Sequence, residues 1–407
     1  MFPAGLFNTT VKSTHHGQRG AVTTEQMKSK RVMMVTGEAS GDLHGAHLIE
    51  AIRRIDPNIQ FFGMGGEALR RTGMNLLYHN QSLSVVGITE VLLKLKSIRK
   101  TLRGLKRVLD LERPDLVILI DFPDFNLRLA KFAHQRGIPV FYYISPQVWA
   151  WRAGRVKLIA RWVKKMVVFF AFEVPIYKAA GVDVEWVGHP LLDVVKPHLP
   201  KEDALKQLGL DPGKRTVGLL PGSREQELER LLPVLLDTAH LLQQEIPGLQ
   251  FVIPLAPGLT KTSVSRWMEN AWVPVKLVEG QTYDVMNLAD LLIMASGTAT
   301  LEAAILGKPM VIIYKVSFIS YWIGRALVHV KHIGLVNLVA GKGIAPELIQ
   351  KDATPERIAK EALRILNDPA LRQEMTESMI EVRKNLGEPG AVQRAARIAH
   401  RMLENET

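Results

Sequence analysis

One carboxylate and two loops of small residues carry most of the chemistry that can be read from this chain. Asp121 directly follows the apolar run Leu116–Ile120 in the segment Asp121-Phe122-Pro123-Asp124-Phe125-Asn126, so it should project from a strand end. A carboxylate so placed can act as general base, taking the proton of an alcohol as that alcohol attacks, an assistance of about 10²–10⁴-fold. The competing reading is an Asx turn in which Asp121 or Asp124 bonds nearby backbone. The two loops are Leu219-Leu220-Pro221-Gly222-Ser223-Arg224 and Ala295-Ser296-Gly297-Thr298-Ala299-Thr300-Leu301-Glu302. Each follows a short apolar run and opens a helical stretch, where free backbone N–H groups and the helix dipole favour phosphate. Arg224 adds a cation able to grip phosphate oxygens in bidentate fashion, and Glu302 is placed to bind ribose hydroxyls. Asn337, a polar residue in an apolar run, could reach the same cleft. Taken singly, the loops could be a helix cap with a surface arginine and a plain turn. Their occurrence together points to a nucleotide diphosphate.

A second group of residues would serve an acceptor. Thr36-Gly37-Glu38-Ala39-Ser40-Gly41-Asp42 ends the first apolar run, and Gly63-Met64-Gly65-Gly66 ends the second. Gly37 and Gly65 allow a close approach to the backbone, and Ser40 or Asp42 could instead cap the helix that follows. Ser145-Pro146-Gln147-Val148-Trp149-Ala150-Trp151-Arg152 brings two indoles near an arginine. Trp149 could stack on a sugar or fill the core. His189, in Gly188-His189-Pro190, could face the cleft or be structural.

These residues need elements to hold them. From Arg31 onward short β-rich runs alternate with helical stretches: Val32–Thr36, Ile59–Met64, Leu116–Ile120 and Val140–Ile144 in the first half. Thr216–Leu220, Gln250–Pro254, Val275–Val278, Leu291–Ala295 and Met310–Tyr314 repeat the scheme. The alternation predicts parallel sheets covered on both faces, in two doubly wound α/β domains, with ligands at the carboxyl ends of the strands. The expected division is an N-terminal extension over residues 1–30 and an acceptor and membrane-docking domain over 31–190. A nucleotide-sugar domain follows over 191–375, and C-terminal helices over 376–407 pack back on the first domain or on a partner.

The 407 residues are 47% hydrophobic and 23% charged, enough for two sizeable cores, and contain no cysteine, which fits a reducing compartment. The net charge of +12 implies anionic partners. Residues 1–30 are rich in Thr, Ser, Gly and His and lack a secretory apolar core, which predicts a disordered extension. No run approaches the roughly 18 apolar residues of a membrane span. From Glu90 to Asp110, however, Val91, Leu95, Ile98, Leu102, Leu105 and Leu109 form a helical stripe flanked by Lys94, Lys96, Arg99, Lys100, Arg103, Lys106 and Arg107. Such a helix can lie on an anionic membrane or pack its stripe on the core. No H-E-x-x-H, no cysteine cluster and no D-x-D after a strand appears, so the expected transferase needs no metal and no cofactor, the leaving diphosphate being met by Arg224 and helix N-termini.

Read in order, Gly37-Glu38-Ala39-Ser40-Gly41-Asp42, Asp121 to Asn126, Ser145 to Arg152, Pro221-Gly222-Ser223-Arg224 and Ser296 to Glu302 closely resemble the lipid A disaccharide synthases, from about residue 32 to the C-terminal helices. The resemblance implies a GT-B glycosyltransferase, two Rossmann-like domains facing a central cleft. It implies transfer from UDP-2,3-diacylglucosamine to 2,3-diacylglucosamine 1-phosphate (lipid X) with inversion, giving a β-1,6-linked disaccharide and UDP. It implies Asp121 as base, Glu38 as a further acid near the acceptor, and Arg224, Ser296, Gly297, Thr298, Glu302 and Asn337 around UDP. It also implies peripheral attachment, through Val91, Leu92, Leu95 and Ile98 with Lys94 and Arg99, to the inner face of the cytoplasmic membrane, and a homodimer through exchanged C-terminal segments. Nucleic acid is not an expected partner. The chain departs from the family pattern at Phe170-Ala171-Phe172-Glu173 and at Gly65-Gly66-Glu67, which bears on acyl-chain fit. The rival readings are a UDP-N-acetylglucosamine 2-epimerase, a transferase with another lipid-linked acceptor, and a non-catalytic UDP-sugar or lipid-binding module.

Overall fold

A computed structural model describes residues 29–80, 88–149, 154–256, 258–269, 271–316 and 331–404, and within these the side chains of all but residues 88–95. The first half runs β1 (Arg31–Thr36), α1 (Ala39–Ile55), β2 (Gln60–Gly65), α2 (Glu67–Arg71), β3 (Asn75–His79), α3 (Ile88–Glu112), β4 (Leu116–Ile120) and α4 (Pro123–His134). It continues through β5 (Val140–Tyr143), α5 (Arg155–Trp162), β6 (Lys165–Val168), α6 (Glu173–Lys178) and β7 (Val184–Trp186). The second half runs α7 (Leu191–Val194), α8 (Lys201–Gln207), β8 (Thr216–Leu220), α9 (Glu225–Glu245), β9 (Gln250–Leu255), α10 (Lys261–Met268), β10 (Val275–Glu279) and α11 (Thr282–Leu288). It ends in β11 (Leu291–Ala295), α12 (Ala299–Ile305), β12 (Met310–Tyr314), α13 (Leu335–Ala340), β13 (Glu347–Ile349), α14 (Pro355–Asn367), α15 (Pro369–Asn385) and α16 (Ala391–Leu403).

Each half makes one parallel sheet. The first is ordered β3-β2-β1-β4-β5-β6-β7 and the second β10-β9-β8-β11-β12-β13. Leu116–Ile120 shows why such runs become central strands: all five residues are wholly buried, and removing each side chain from water contributes about 1.5–3 kcal/mol as an upper bound. Helices cover both faces. α1 and α16 pack together on one side of the first sheet, where Ala391, Ala395 and Ala399 join Val32, Met34 and Leu48 in one core. Leu105 and Leu109 of α3 pack on the other side with Leu119 and Tyr142. α15 packs on α12 and α13 of the second half, so the last two helices serve different sheets.

The strand order reverses once in each sheet, between β1 and β4 and between β8 and β11. At such a switch point the two crossover connections diverge and leave a crevice at the carboxyl ends of the strands. Thr36 pairs with Ile120 at the end of β1 and β4, and Met294 with Leu220 at the end of β11 and β8. The residues that follow these pairs are the ones the sequence marks for chemistry.

Candidate functional site

Asp121 is the first residue beyond β4, and it and Phe122 adopt left-handed backbone, with φ of 46° and 48°. Left-handed backbone costs a non-glycine residue about 1–2 kcal/mol. Here the Asp121 carbonyl is held from two sides, accepting from Asn126 Nδ2 at 2.6 Å and from the Tyr142 hydroxyl at 2.7 Å. Asn126 Nδ2 also donates to the Ile120 carbonyl at 3.1 Å. The Asp121 carboxyl is held above the ordinary carboxylate range by burial first and by the charge of Glu38 second, opposed by a bond from the Phe122 amide and by Arg155. Arg155 is buried and paired with Asp124 at 2.7 Å. Glu38 and Ser40 open α1 and are exposed.

The glycines around this carboxylate are packed against the protein's own side chains. Gly37 is buried, and a Cβ there would lie 2.2 Å from Phe122 Cγ, so the Phe122 ring sits on its backbone. A Cβ on Gly65 would meet Leu69 Cδ1 at 2.3 Å. Asp42 does not cap its own helix. It is buried and accepts from the amides of Gly66 at 2.6 Å and Ala68 at 2.8 Å, capping α2 instead. That contact ties the turn after β1 to the turn after β2.

Trp149 is half-buried and donates from Nε1 to Glu173 Oε1 at 3.2 Å, with its ring edge-on to Phe172. Glu173 is buried, and burial pushes its carboxyl up to about 7 against bonds from Ser145, Phe170 and Trp149. Trp151 and Arg152 lie outside the described residues. His189 is a structural residue rather than a proton acceptor. Its ring packs on Phe169 and Phe170, its Nδ1 accepts from the Leu191 amide at 3.1 Å, and burial followed by the nearby His44 lowers its pKa to about 3.

In the second sheet the loops after β8 and β11 are neighbours because the strands pair directly. Ser223 and Arg224 are exposed, but the amides expected to meet phosphate are already engaged. Glu227 Oε2 accepts from Ser223 N at 2.9 Å and Arg224 N at 3.3 Å, while Oε1 accepts from Arg224 Nη1 at 3.2 Å. This is the glutamate half of a capping box on α9, since the Arg224 guanidinium cannot accept in return, with the carboxylate lying against Gly222, where a Cβ would come within 2.2 Å of Glu227 Oε2. The loop therefore offers a ligand the exposed face of the Arg224 guanidinium, not the amides of Ser223 and Arg224. After β11, a Cβ on Gly297 would meet open space, and Thr298 is exposed. The Ser296 amide closes the ladder to Ile313, and its hydroxyl donates to the Ile333 carbonyl at 3.2 Å. Glu302 is partly buried, its carboxyl held high by burial, and accepts from the Tyr283 hydroxyl at 3.4 Å.

Asn337 does not reach the cleft. It is wholly buried, and its amide donates to the Ala345 carbonyl and Glu347 while accepting from the amides of Ile344 and Ala345. Four internal bonds leave it no group to offer a nucleotide. The stripe on α3 is likewise divided: Leu102, Leu105 and Leu109 belong to the core and Ile98 packs against it, while Arg99 is exposed. Val91, Leu92, Lys94 and Leu95 lie on the helix, with side chains outside those described. No helix among the described residues is long and apolar enough to cross a membrane.

Several residues that shape the site carry no sequence signal of chemistry. Asn126, Tyr142 and Arg155 act through contacts made only in three dimensions. Glu227 could have been found, because a glutamate at the third position of a helix commonly reaches back to the amides at its start. Among the described residues no group of three His, Asp or Glu side chains is placed to hold a metal ion.

Residues 32–402 match the family model described as lipid-A-disaccharide synthetase. Over 379 residues the chain is 51% identical to the lipid-A-disaccharide synthase of Syntrophus aciditrophicus, covering 93% of this chain and 99% of that one. It is 48% identical to that of Geobacter sulfurreducens over 375 residues, 92% of this chain and 98% of the relative. In fold it is similar to a putative UDP-N-acetylglucosamine 2-epimerase from Listeria monocytogenes, with a TM-score of 0.62 at 14% identity, covering 93% and 98% of the two chains. It is similar also to the calicheamicin glycosyltransferase CalG4, with a TM-score of 0.60 at 15% identity, covering 93% and 99%. Identities so low speak to the fold, two facing α/β domains of the GT-B kind.

Proposed function

Because the chain belongs to the lipid-A-disaccharide synthetase family, we propose that it transfers a glucosaminyl unit from UDP-2,3-diacylglucosamine to the 6-hydroxyl of 2,3-diacylglucosamine 1-phosphate. Its chemistry is glycosyl transfer in lipid A biosynthesis. The observation that carries the site assignment is the placement of Asp121 and Glu38 after the two strands that flank the first switch point. In this reading the acceptor hydroxyl lies against Asp121. Its oxygen attacks the anomeric carbon on the face opposite UDP, its proton passes to the Asp121 carboxylate, and the bond to the UDP oxygen breaks, inverting the centre. Negative charge develops on the departing diphosphate, which Arg224 and the opening of α12 at Gly297 and Thr298 stabilise. Glu302 holds the ribose. Asn337 holds the backbone at Ile344 and Ala345 and does not bind UDP itself.

We place the enzyme at the inner face of the cytoplasmic membrane, attached through the N-terminal part of α3 with Val91, Leu92 and Leu95 as its apolar residues and Lys94 and Arg99 as its cations. The C-terminal part of the same stripe is core, so docking is confined to the first turns. The net charge of +12 favours that surface.

The test is UDP release from UDP-2,3-diacylglucosamine in detergent containing EDTA, with and without 2,3-diacylglucosamine 1-phosphate. Release that requires the acceptor and ignores EDTA is the expected result. An acceptor-independent change at C2 of a UDP-sugar would make the protein an epimerase, and binding without turnover would make it a binding module.

A further inference from the structure

Asn126 is wholly buried, yet its Oδ1 has no hydrogen-bond partner among the described residues. A buried amide oxygen left without a partner is unfavourable, so the residue must be kept for what its other end does. What the residue supplies is its Nδ2, which bridges the carbonyls of Ile120 and Asp121 at 3.1 Å and 2.6 Å. Tyr142, also wholly buried, points its hydroxyl at the same Asp121 carbonyl from β5, 2.7 Å away. Two buried donors from two elements thus converge on the peptide oxygen of the one residue that leaves β4 in left-handed backbone. Phe122 continues that conformation and lodges its ring on Gly37.

A left-handed aspartate unsupported by such donors would relax toward the ordinary regions and turn its carboxylate away from the end of β1. We propose that Asn126 and Tyr142 are positioning residues for the reaction, fixing the Asp121 peptide so that its carboxylate faces the acceptor. This rests on the reading of Asp121 as base. Neither side chain touches substrate; both act through the Asp121 carbonyl. A misplacement of about 1 Å at a reacting group can lower a rate by about 10²-fold.

The experiment compares Tyr142→Phe, Asn126→Ser and Asp121→Asn in the full-length protein, measuring kcat, the KM of each substrate, UDP affinity by calorimetry, and melting temperature. Tyr142→Phe removes one hydroxyl and keeps the ring, so it remains informative if Asn126→Ser fails to fold. The expected result is a fall in kcat of about 10- to 100-fold in Tyr142→Phe, with donor KM and UDP affinity within about twofold of wild type. Wild-type kcat in Tyr142→Phe, or a parallel loss of UDP affinity, overturns the inference provided Asp121→Asn is inactive. If Asp121→Asn itself turns over normally, the base assignment falls, and with it the role given to both residues.

Discussion

Glu38 and Asp121 follow strands that end in register, Thr36 opposite Ile120, and the charge of one reaches the other: Glu38 is the second cause, after burial, of the raised pKa of Asp121. A base with a raised pKa is active only once it has lost its proton, so the acid limb of kcat should lie above the ordinary carboxylate range. Glu38→Gln removes the neighbouring charge and should move that limb to lower pH, which a pH–rate profile reads directly. An unmoved limb would mean that another group titrates. The sign for stability follows from the same shift. A folded-state pKa above the ordinary 3.8 favours the fold below that value and is lost as pH rises through the folded pKa. Asp121→Asn should therefore be inactive and melt no lower than wild type at neutral pH.

The Glu227 carboxylate fixes both the Ser223 and Arg224 amides and the guanidinium of Arg224. Glu227→Ala removes the carboxylate that caps the first amides of α9, a loss of about 1 kcal/mol, and releases Arg224 from its orientation. The expected outcome is a donor KM raised about tenfold with the acceptor KM unchanged, since Arg224 is assigned to the diphosphate alone. Tighter UDP binding in this variant would instead show that the carboxylate competes with phosphate for the same amides.

The core of both sheets is written plainly in the chain. Leu116–Ile120, Thr216–Leu220, Leu291–Ala295 and Met310–Tyr314 are short apolar runs cut off by turn residues, and each forms a strand with those bounds. The strands not anticipated are β3, β6, β7 and β13. Three of these lie at sheet edges, where β3 and β7 expose part of their surface and lose the apolar signal, and β6 has only four residues, beginning with Lys165. Asp121 and the two loops stood out because each immediately follows a buried run. Asn337 misled for the opposite reason. A polar residue in an apolar stretch signals a buried amide, and sequence cannot say whether its partner is a ligand or the backbone eight residues on. The donors Asn126 and Tyr142 were invisible because their meaning lies in one shared carbonyl, brought together only by the pairing of β4 with β5.

Gly37 has no room for a side chain, because its would-be Cβ falls within the Phe122 ring. Gly37→Ala must displace that ring and, with it, the left-handed pair Asp121–Phe122. Turnover should drop by about 10²-fold or more while UDP binding, which we assign to the other sheet, stays at wild-type affinity. A Gly37→Ala protein with normal kcat would show that Phe122 can move without disturbing Asp121. The double variant Gly37→Ala, Phe122→Ala removes the clash and should recover part of the rate.

Glu173 gives the fold a pH dependence of its own. Burial, its largest influence, lifts the carboxyl from 4.5 to about 7 despite the bonds it accepts from Ser145, Phe170 and Trp149. The folded state binds this proton more tightly than the unfolded chain does. Its contribution to stability is therefore complete below about 4.5 and declines as pH rises toward about 7, a change on the order of 3 kcal/mol. Glu173→Gln stays neutral throughout and its carbonyl oxygen can still accept from Trp149, so its melting temperature should lose that decline and exceed that of wild type above neutrality. Parallel melting curves for the two proteins across the range would mean that Glu173 meets a compensating positive charge and is ionised in the fold.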